Sequence, residues 1–189
     1  MSRLSSFLRE RRWAMVETRL LSGARFGRGS GIERGCRKIP LTVTLTTVPE
    51  RLARVPIVIE SLLRQAVKPD RIVLWLDEKL EPKVPESLRR QTERGLELRF
   101  VTDIGPYTKV IYALEEFASD LIVTCDDDVI YPAHWLAGLI RTHEREPRSV
   151  ICYRARQMAA DADGVLHPYM QWKVFSGNCA APSFSLFPI

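Results

Sequence analysis

LIVTCDDDVIY, residues 121–131, runs five strand-forming residues straight into three consecutive aspartates. Leu, Ile, Val, Thr and Cys suit a buried strand. Three adjacent carboxylates do not suit its end, because like charges repel and each resists losing its water. Either the turn is solvated or positive charge stands against it. Ligands of open α/β sheets collect beyond the C-terminal ends of the strands. The meaning of the run therefore depends on whether this strand belongs to such a sheet.

The flanking sequence says that it does. PLTVTLTT (40–47) is β-branched and reads as a strand, RIVLWLD (71–77) as a second, and LELRFVTD (96–103) as a third. DLIVTCD (120–126) is the fourth and SVICYRA (149–155) is expected to be a fifth. Helices are expected between them. Leu52, Val55, Ile59, Leu62 and Leu63 recur at helical spacing across 51–66, and Val110, Ile111, Leu114 and Phe117 mark another helix. A short helix is expected at 86–94, after Pro85 and before Gly95, and one more after Pro132. Alternating strands and helices predict a mostly parallel, Rossmann-like α/β sheet flanked by helices. Beyond 155 the rhythm changes. DADG (161–164) reads as the turn of a β-hairpin that follows the fifth strand.

Composition fits one globular domain with a core: 189 residues, 46% hydrophobic and 27% charged. The net charge of +5 is unevenly spread. Residues 1–38 hold ten basic and three acidic residues, +7, whereas the rest holds 18 basic and 20 acidic, −2. A nucleic-acid-binding fold carries its basic patch on the folded domain, so nucleic acid is not an expected partner. The expected organisation is a basic extension and linker over 1–38 and the α/β domain over 39–189. Residues 1–22 have helix-forming character, and GARFGRGSGIERGCRK (23–38) has the Gly, Ser and Arg content of a flexible linker. No apolar run reaches the ~20 residues of a membrane span, and no secretory signal core is present. A cytoplasmic protein is expected, and the basic N-terminus reads either as a poorly ordered extension or as a peripheral contact to anionic lipid at the inner membrane face. Cys36, Cys125, Cys152 and Cys179 show no zinc spacing and are expected to be reduced and mostly buried.

The strand ends then define a candidate site. In extended backbone, Asp126 and Asp128 share one side and Asp127 points away. Two carboxylates on one side make a hard oxygen site for Mg²⁺ or Mn²⁺. Helix capping after the run needs one aspartate, not three. The first strand ends in TTVPER (46–51) and the second in WLDE (75–78), where Asp77 can accept hydrogen bonds from a base or ribose or serve as an ordinary turn residue. After the third strand, DIGPYTK (103–109) puts Lys109 in the first turn of a helix, where the dipole disfavours a cation unless an anion lies close.

VTLTTVPERL, RIVLWLDE, DIGPYTKVIYAL and LIVTCDDDVIYPAHWL, in this order, resemble the nucleotide-sugar half of a family 2-like glycosyltransferase of the GT-A fold, over roughly 40–175. The resemblance implies roles. Thr46, Thr47, Pro49, Glu50 and Arg51 match the first-strand loop around the nucleotide. Asp77 matches the carboxylate on the base, and Lys109 the region meeting ribose or diphosphate. Asp126 and Asp128 match the DxD motif that holds Mn²⁺ or Mg²⁺, and Asp127 between them counts with the donor-binding residues. The implied partners are a nucleotide-diphosphate sugar and a saccharide or lipid acceptor.

Such transfer needs a general base for the acceptor hydroxyl. The family's base lies well past the DxD, and this chain runs 61 residues beyond Asp128. It is expected to stop before the acceptor half, and no catalytic base is assigned. Asp161 and Asp163 read as turn residues, and His134, His143 and His167 stand in no metal pattern. Tyr169 and Trp172 suit either sugar stacking or core packing. Three rivals remain: a non-catalytic nucleotide-sugar-binding remnant, a haloacid-dehalogenase-type phosphatase, and a membrane-surface adaptor using the basic leader, which would leave the clustered strand-end residues unexplained. The phosphatase motif wants Thr or Val where Ile130 stands, and needs a later acidic pair that is missing.

Overall fold

The computed structural model describes residues 3–174, with side chains from Ala14 onward. Two compact units divide the chain, Met1–Leu136 and Ala137–Ile189. The first carries a four-stranded parallel sheet: β1 (Leu41–Thr46), β2 (Arg71–Asp77), β3 (Leu96–Val101) and β4 (Leu121–Thr124), in the order β3-β2-β1-β4. Its helices are α1 (Arg3–Phe26), α2 (Val55–Leu63), α3 (Glu86–Thr92) and α4 (Thr108–Glu116). A further helix, α5 (Trp135–Arg145), leads into the second unit. The parallel α/β sheet read from the sequence is the fold observed.

The central strands are buried on both faces, which parallel pairing with crossover helices requires. Leu41, Val43 and Leu45 of β1 and Ile72, Leu74 and Leu76 of β2 are each at most 1% exposed. On the opposite side, Val73 and Trp75 pack with Ala113 of α4 and Phe117 just past it. Two threonines share this core, and both hydroxyls are matched. Thr42 donates to Asp120 at 2.6 Å, and Thr44 donates to the Lys109 carbonyl at 2.7 Å while accepting the Trp75 indole N–H at 2.8 Å. A buried hydroxyl without such partners costs about 1–3 kcal/mol.

Every residue of α2 is buried, Glu60 included. Glu60 sits between Arg64 and Arg94, each at 2.6 Å, so its charge is compensated where it is desolvated. Gly23 of α1 lies against this group, and a Cβ there would run into Arg64 and Glu60. The Gly- and Ser-rich stretch after α1 is tied to the body by main-chain bonds. Gly31 N–H donates to Arg94 O (2.8 Å), and Glu33 N–H to Pro69 O (2.9 Å). Gly35 N–H reaches Asp70 Oδ1 (2.8 Å).

The second unit differs from expectation in one element. Residues 149–155 form no strand, and Val150 and Tyr153 are exposed. Propensity for a pleated surface makes a strand only where a neighbouring ladder exists, and none forms there among the described residues. The hairpin is present: β5 (Arg156–Gln157) pairs antiparallel with β6 (Lys173–Val174), with a bridge between Ala160 and Leu166. Its turn is held by Asp161 Oδ1, which accepts from Asp163 N–H (3.0 Å) and Val165 N–H (2.9 Å), and Gly164 supplies the required positive φ of 82°. Tyr169 meets Trp172 edge-on at 5.4 Å and remains exposed. The thiols are free, but Cys36 and Cys152 are exposed and only Cys125 of the described three is buried. The first two stand in loops rather than on core faces. Cys179 and the end of the chain lie outside the described residues.

Asp70 ties the start of β1 to the start of β2. It is 3% exposed and accepts from Leu41 N–H (2.9 Å) and Gly35 N–H (2.8 Å), with Arg37 at 3.4 Å. Burial pushes its carboxyl up, but the two amides and Arg37 outweigh that and hold it below the usual range. Its stabilising effect is therefore complete above the unfolded carboxylate value of about 4 and is lost as pH falls through the lower folded value. Asp70→Asn is expected to lose about 2 kcal/mol in urea unfolding at pH 7, and the gap to wild type is expected to close in acid.

Candidate functional site

β1 and β4 are parallel neighbours, so both end on the same rim of the sheet. The last ladder bond runs from Cys125 N–H to Thr44 O at 2.9 Å. Beyond it the backbone leaves the sheet and forms the turn that carries the three aspartates. From β1, Thr47 and a single 3₁₀ turn (Pro49–Arg51) lead back toward that turn. Pro49 has no N–H to leave unmatched at the turn's start and already holds its φ.

The three carboxylates have different surroundings. Asp127 is turned inward, with its side chain 8% exposed, whereas Asp126 and Asp128 are 65% and 54% exposed. Asp127 accepts from Thr47 Oγ1 and from Arg51 Nη1, both at 2.6 Å. The same Arg51 nitrogen lies 3.1 Å from Asp128 Oδ2. The hydrogen bond to Asp127, with the charges of Asp127 and Asp128, pushes the Arg51 guanidinium up. Lys109 Nζ stands 2.6 Å from Asp126 Oδ1 and donates to Cys125 O at 3.0 Å. Its place in the first turn of α4 is unfavourable to a cation on dipole grounds, and the Asp126 carboxylate is the anion that offsets this. The run of negative charge is thus met by two cations and one hydroxyl.

Six expected site residues therefore come together: Thr47, Arg51, Lys109, Asp126, Asp127 and Asp128. The others stand apart in the hydrogen-bond pattern. Thr46 Oγ1 donates to Trp75 O (3.0 Å), linking the ends of β1 and β2. Asp77 Oδ1 caps the next turn by accepting Lys79 N–H (2.9 Å). Pro49 and Glu50 form the exposed 3₁₀ turn. Thr108 braces the loop before α4, accepting Ile104 N–H and donating to Asp103 Oδ1, each at 3.0 Å. Among the described residues, no three His, Cys, Asp or Glu side chains gather closely enough to hold a metal by themselves. The exposed carboxylates of Asp126 and Asp128 are two hard oxygen donors, a set that suits a divalent ion taking its remaining ligands from phosphate and water.

Two further groups stand at this rim, and only Tyr131 is new to the reading of the site. Cys125 is buried, which pushes its thiol far up and leaves it unreactive. Tyr131 is 9% exposed and returns its hydroxyl to the Asp126 backbone. An aromatic residue soon after an acidic turn was the only hint, and core packing explains such a residue equally well.

The burial difference separates the aspartates by their effect on stability. Asp127→Ala strands the Thr47 hydroxyl and the Arg51 guanidinium and is expected to cost about 2 kcal/mol in urea unfolding. Asp128→Asn, at an exposed position, is expected to change stability by less than about 0.5 kcal/mol.

No curated protein matches this chain. A family model described as "Glycosyl transferase family 2" matches residues 43–175, from β1 through the aspartate turn to the hairpin. That span is more than half of the chain and takes in the parallel sheet from the third residue of β1 onward and all six gathered residues, so the chain belongs to glycosyl transferase family 2.

Proposed function

We propose that this domain binds a nucleotide-diphosphate sugar together with Mn²⁺ or Mg²⁺ and transfers the sugar to an acceptor hydroxyl. The observation that carries the reading is the pair of exposed carboxylates, Asp126 and Asp128, held beside Lys109 and Arg51 at the end of β4. Family membership supports glycosyl transfer in general.

Asp126 and Asp128 would hold the ion, which when bound supplies charge neutralisation for the departing diphosphate. The chain's own residues do the rest. Lys109 and Arg51 bring positive charge to the same rim, where diphosphate oxygens need it. Thr47 and Asp127 fix Arg51 in place. Asp77, with Thr46, Pro49 and Glu50, borders the nucleoside, and Asp77 retains a second carboxylate oxygen for a base or ribose. No described residue is assigned as the base for the acceptor. The acceptor is a saccharide or lipid hydroxyl. The basic N-terminal helix, with Met15 and Phe26 exposed, supports peripheral contact with anionic lipid. No described helix is long and apolar enough to cross a membrane.

Calorimetric titration of uridine and guanosine diphosphates, with and without Mn²⁺, tests the reading. Wild type is expected to bind one of them in a metal-dependent way, and Asp128→Ala to weaken that binding by at least about tenfold. Equal binding with and without Mn²⁺, or no effect of Asp128→Ala, would contradict it. Metal-dependent binding without sugar turnover would instead identify a nucleotide-sugar-binding remnant.

A further inference from the structure

Where β4 ends, the Asp126 peptide loses the sheet as its hydrogen-bond partner. Its two polar groups are taken over by one side chain. Asp126 N–H donates to Tyr131 Oη at 2.8 Å, and the Tyr131 hydroxyl donates to Asp126 O at 3.3 Å. The phenol thereby closes the loop 126–131 across its base.

Tyr131 is itself held from two directions. Its N–H donates to Ser61 Oγ (3.1 Å), and that hydroxyl donates to Val58 O (2.7 Å) within α2. Its ring meets Trp135 with centroids 4.3 Å apart. The residue is 9% exposed. A continuous set of contacts thus runs from the buried helix α2, through Ser61 and Tyr131, to the Asp126 backbone. On the far side of that backbone, the Asp126 carboxylate projects outward to Lys109.

We propose that Tyr131 is a positioning residue for the donor site: its hydroxyl clamps the Asp126 peptide from both sides and so fixes where that carboxylate meets the metal and diphosphate. This rests on the donor-binding reading above. Tyr131 touches no reacting atom. Its effect passes through the backbone, in the way that groups behind a metal ligand fix the ligand's orientation.

Tyr131→Phe removes the hydroxyl and keeps the ring. Two readouts are expected to move. The Asp126 amide should exchange with solvent at least about tenfold faster by ¹⁵N-resolved NMR. The Mn²⁺-dependent affinity for uridine or guanosine diphosphate should fall about tenfold, the scale of losses behind a metal ligand. Asp70→Asn is the stability control, because Asp70 sits at the opposite, N-terminal end of the strands; it should leave that affinity unchanged. If Tyr131→Phe does not fold, Ser61→Ala loosens Tyr131 while sparing its hydroxyl, and a smaller loss of affinity is expected. Unchanged affinity in whichever of the two folds, with wild type binding normally, overturns the positioning role and leaves the donor site intact. An equal loss in Asp70→Asn also overturns it, since general destabilisation would then suffice. No binding by wild type removes the donor-site reading and this inference with it.

Discussion

The buried carboxylate of Asp127 is the constraint on which the rest of the rim depends. It joins the end of β1, through Thr47 and Arg51, to the end of β4. Beyond that junction the two loops are joined by the more exposed contact of Arg51 with Asp128 at 3.1 Å. A carboxylate this buried has to be matched by hydrogen bonds and positive charge, and both partners come from the β1 loop. Its neighbours differ: in the turn that follows β4, Asp127 faces inward while Asp126 and Asp128 are the exposed pair. Stability and the candidate chemistry are therefore divided among adjacent residues of one turn.

The parallel sheet stands behind this arrangement. Because β4 follows β1 in the strand order, the aspartate turn and the β1 loop meet at one edge, while β2 and β3 place Asp77 and the loop before Lys109 along the same rim. Thr44 and Trp75 connect the interior to it, since the indole, the hydroxyl and the Lys109 carbonyl form one chain of bonds. That chain sets the start of α4 and with it the root of the Lys109 side chain. Core packing thus reaches the candidate site through specific polar groups as well as through apolar burial.

Much of this was legible in the sequence, for identifiable reasons. β1 and β2 are β-branched or apolar runs between turn residues, and α2 and α4 carry apolar residues at helical spacing, so local pattern and tertiary fold agree. Residues 149–155 have the same local character yet form no strand, because a ladder is a property of two segments and not of one. Residues 23–38 read as a linker by composition. Their attachment runs largely through main-chain groups of Gly31, Glu33 and Gly35, which leave no mark on residue type. At the site, the run of aspartates was visible, but the pairing of Arg51 with Asp127 spans 76 residues and no local rule reaches it. Tyr131 was invisible for another reason: its contribution is one hydroxyl folded back on the main chain.

The most direct measurement of the central claim is the pattern of paramagnetic broadening when Mn²⁺ is added, with uridine or guanosine diphosphate, to the ¹⁵N-labelled protein. Broadening centred on residues 126–128, with Thr47 and Lys109 among the first amides lost, is the result this account requires. Sharp signals from 126–128 while broadening centres elsewhere, for example on the 161–164 turn, would contradict it.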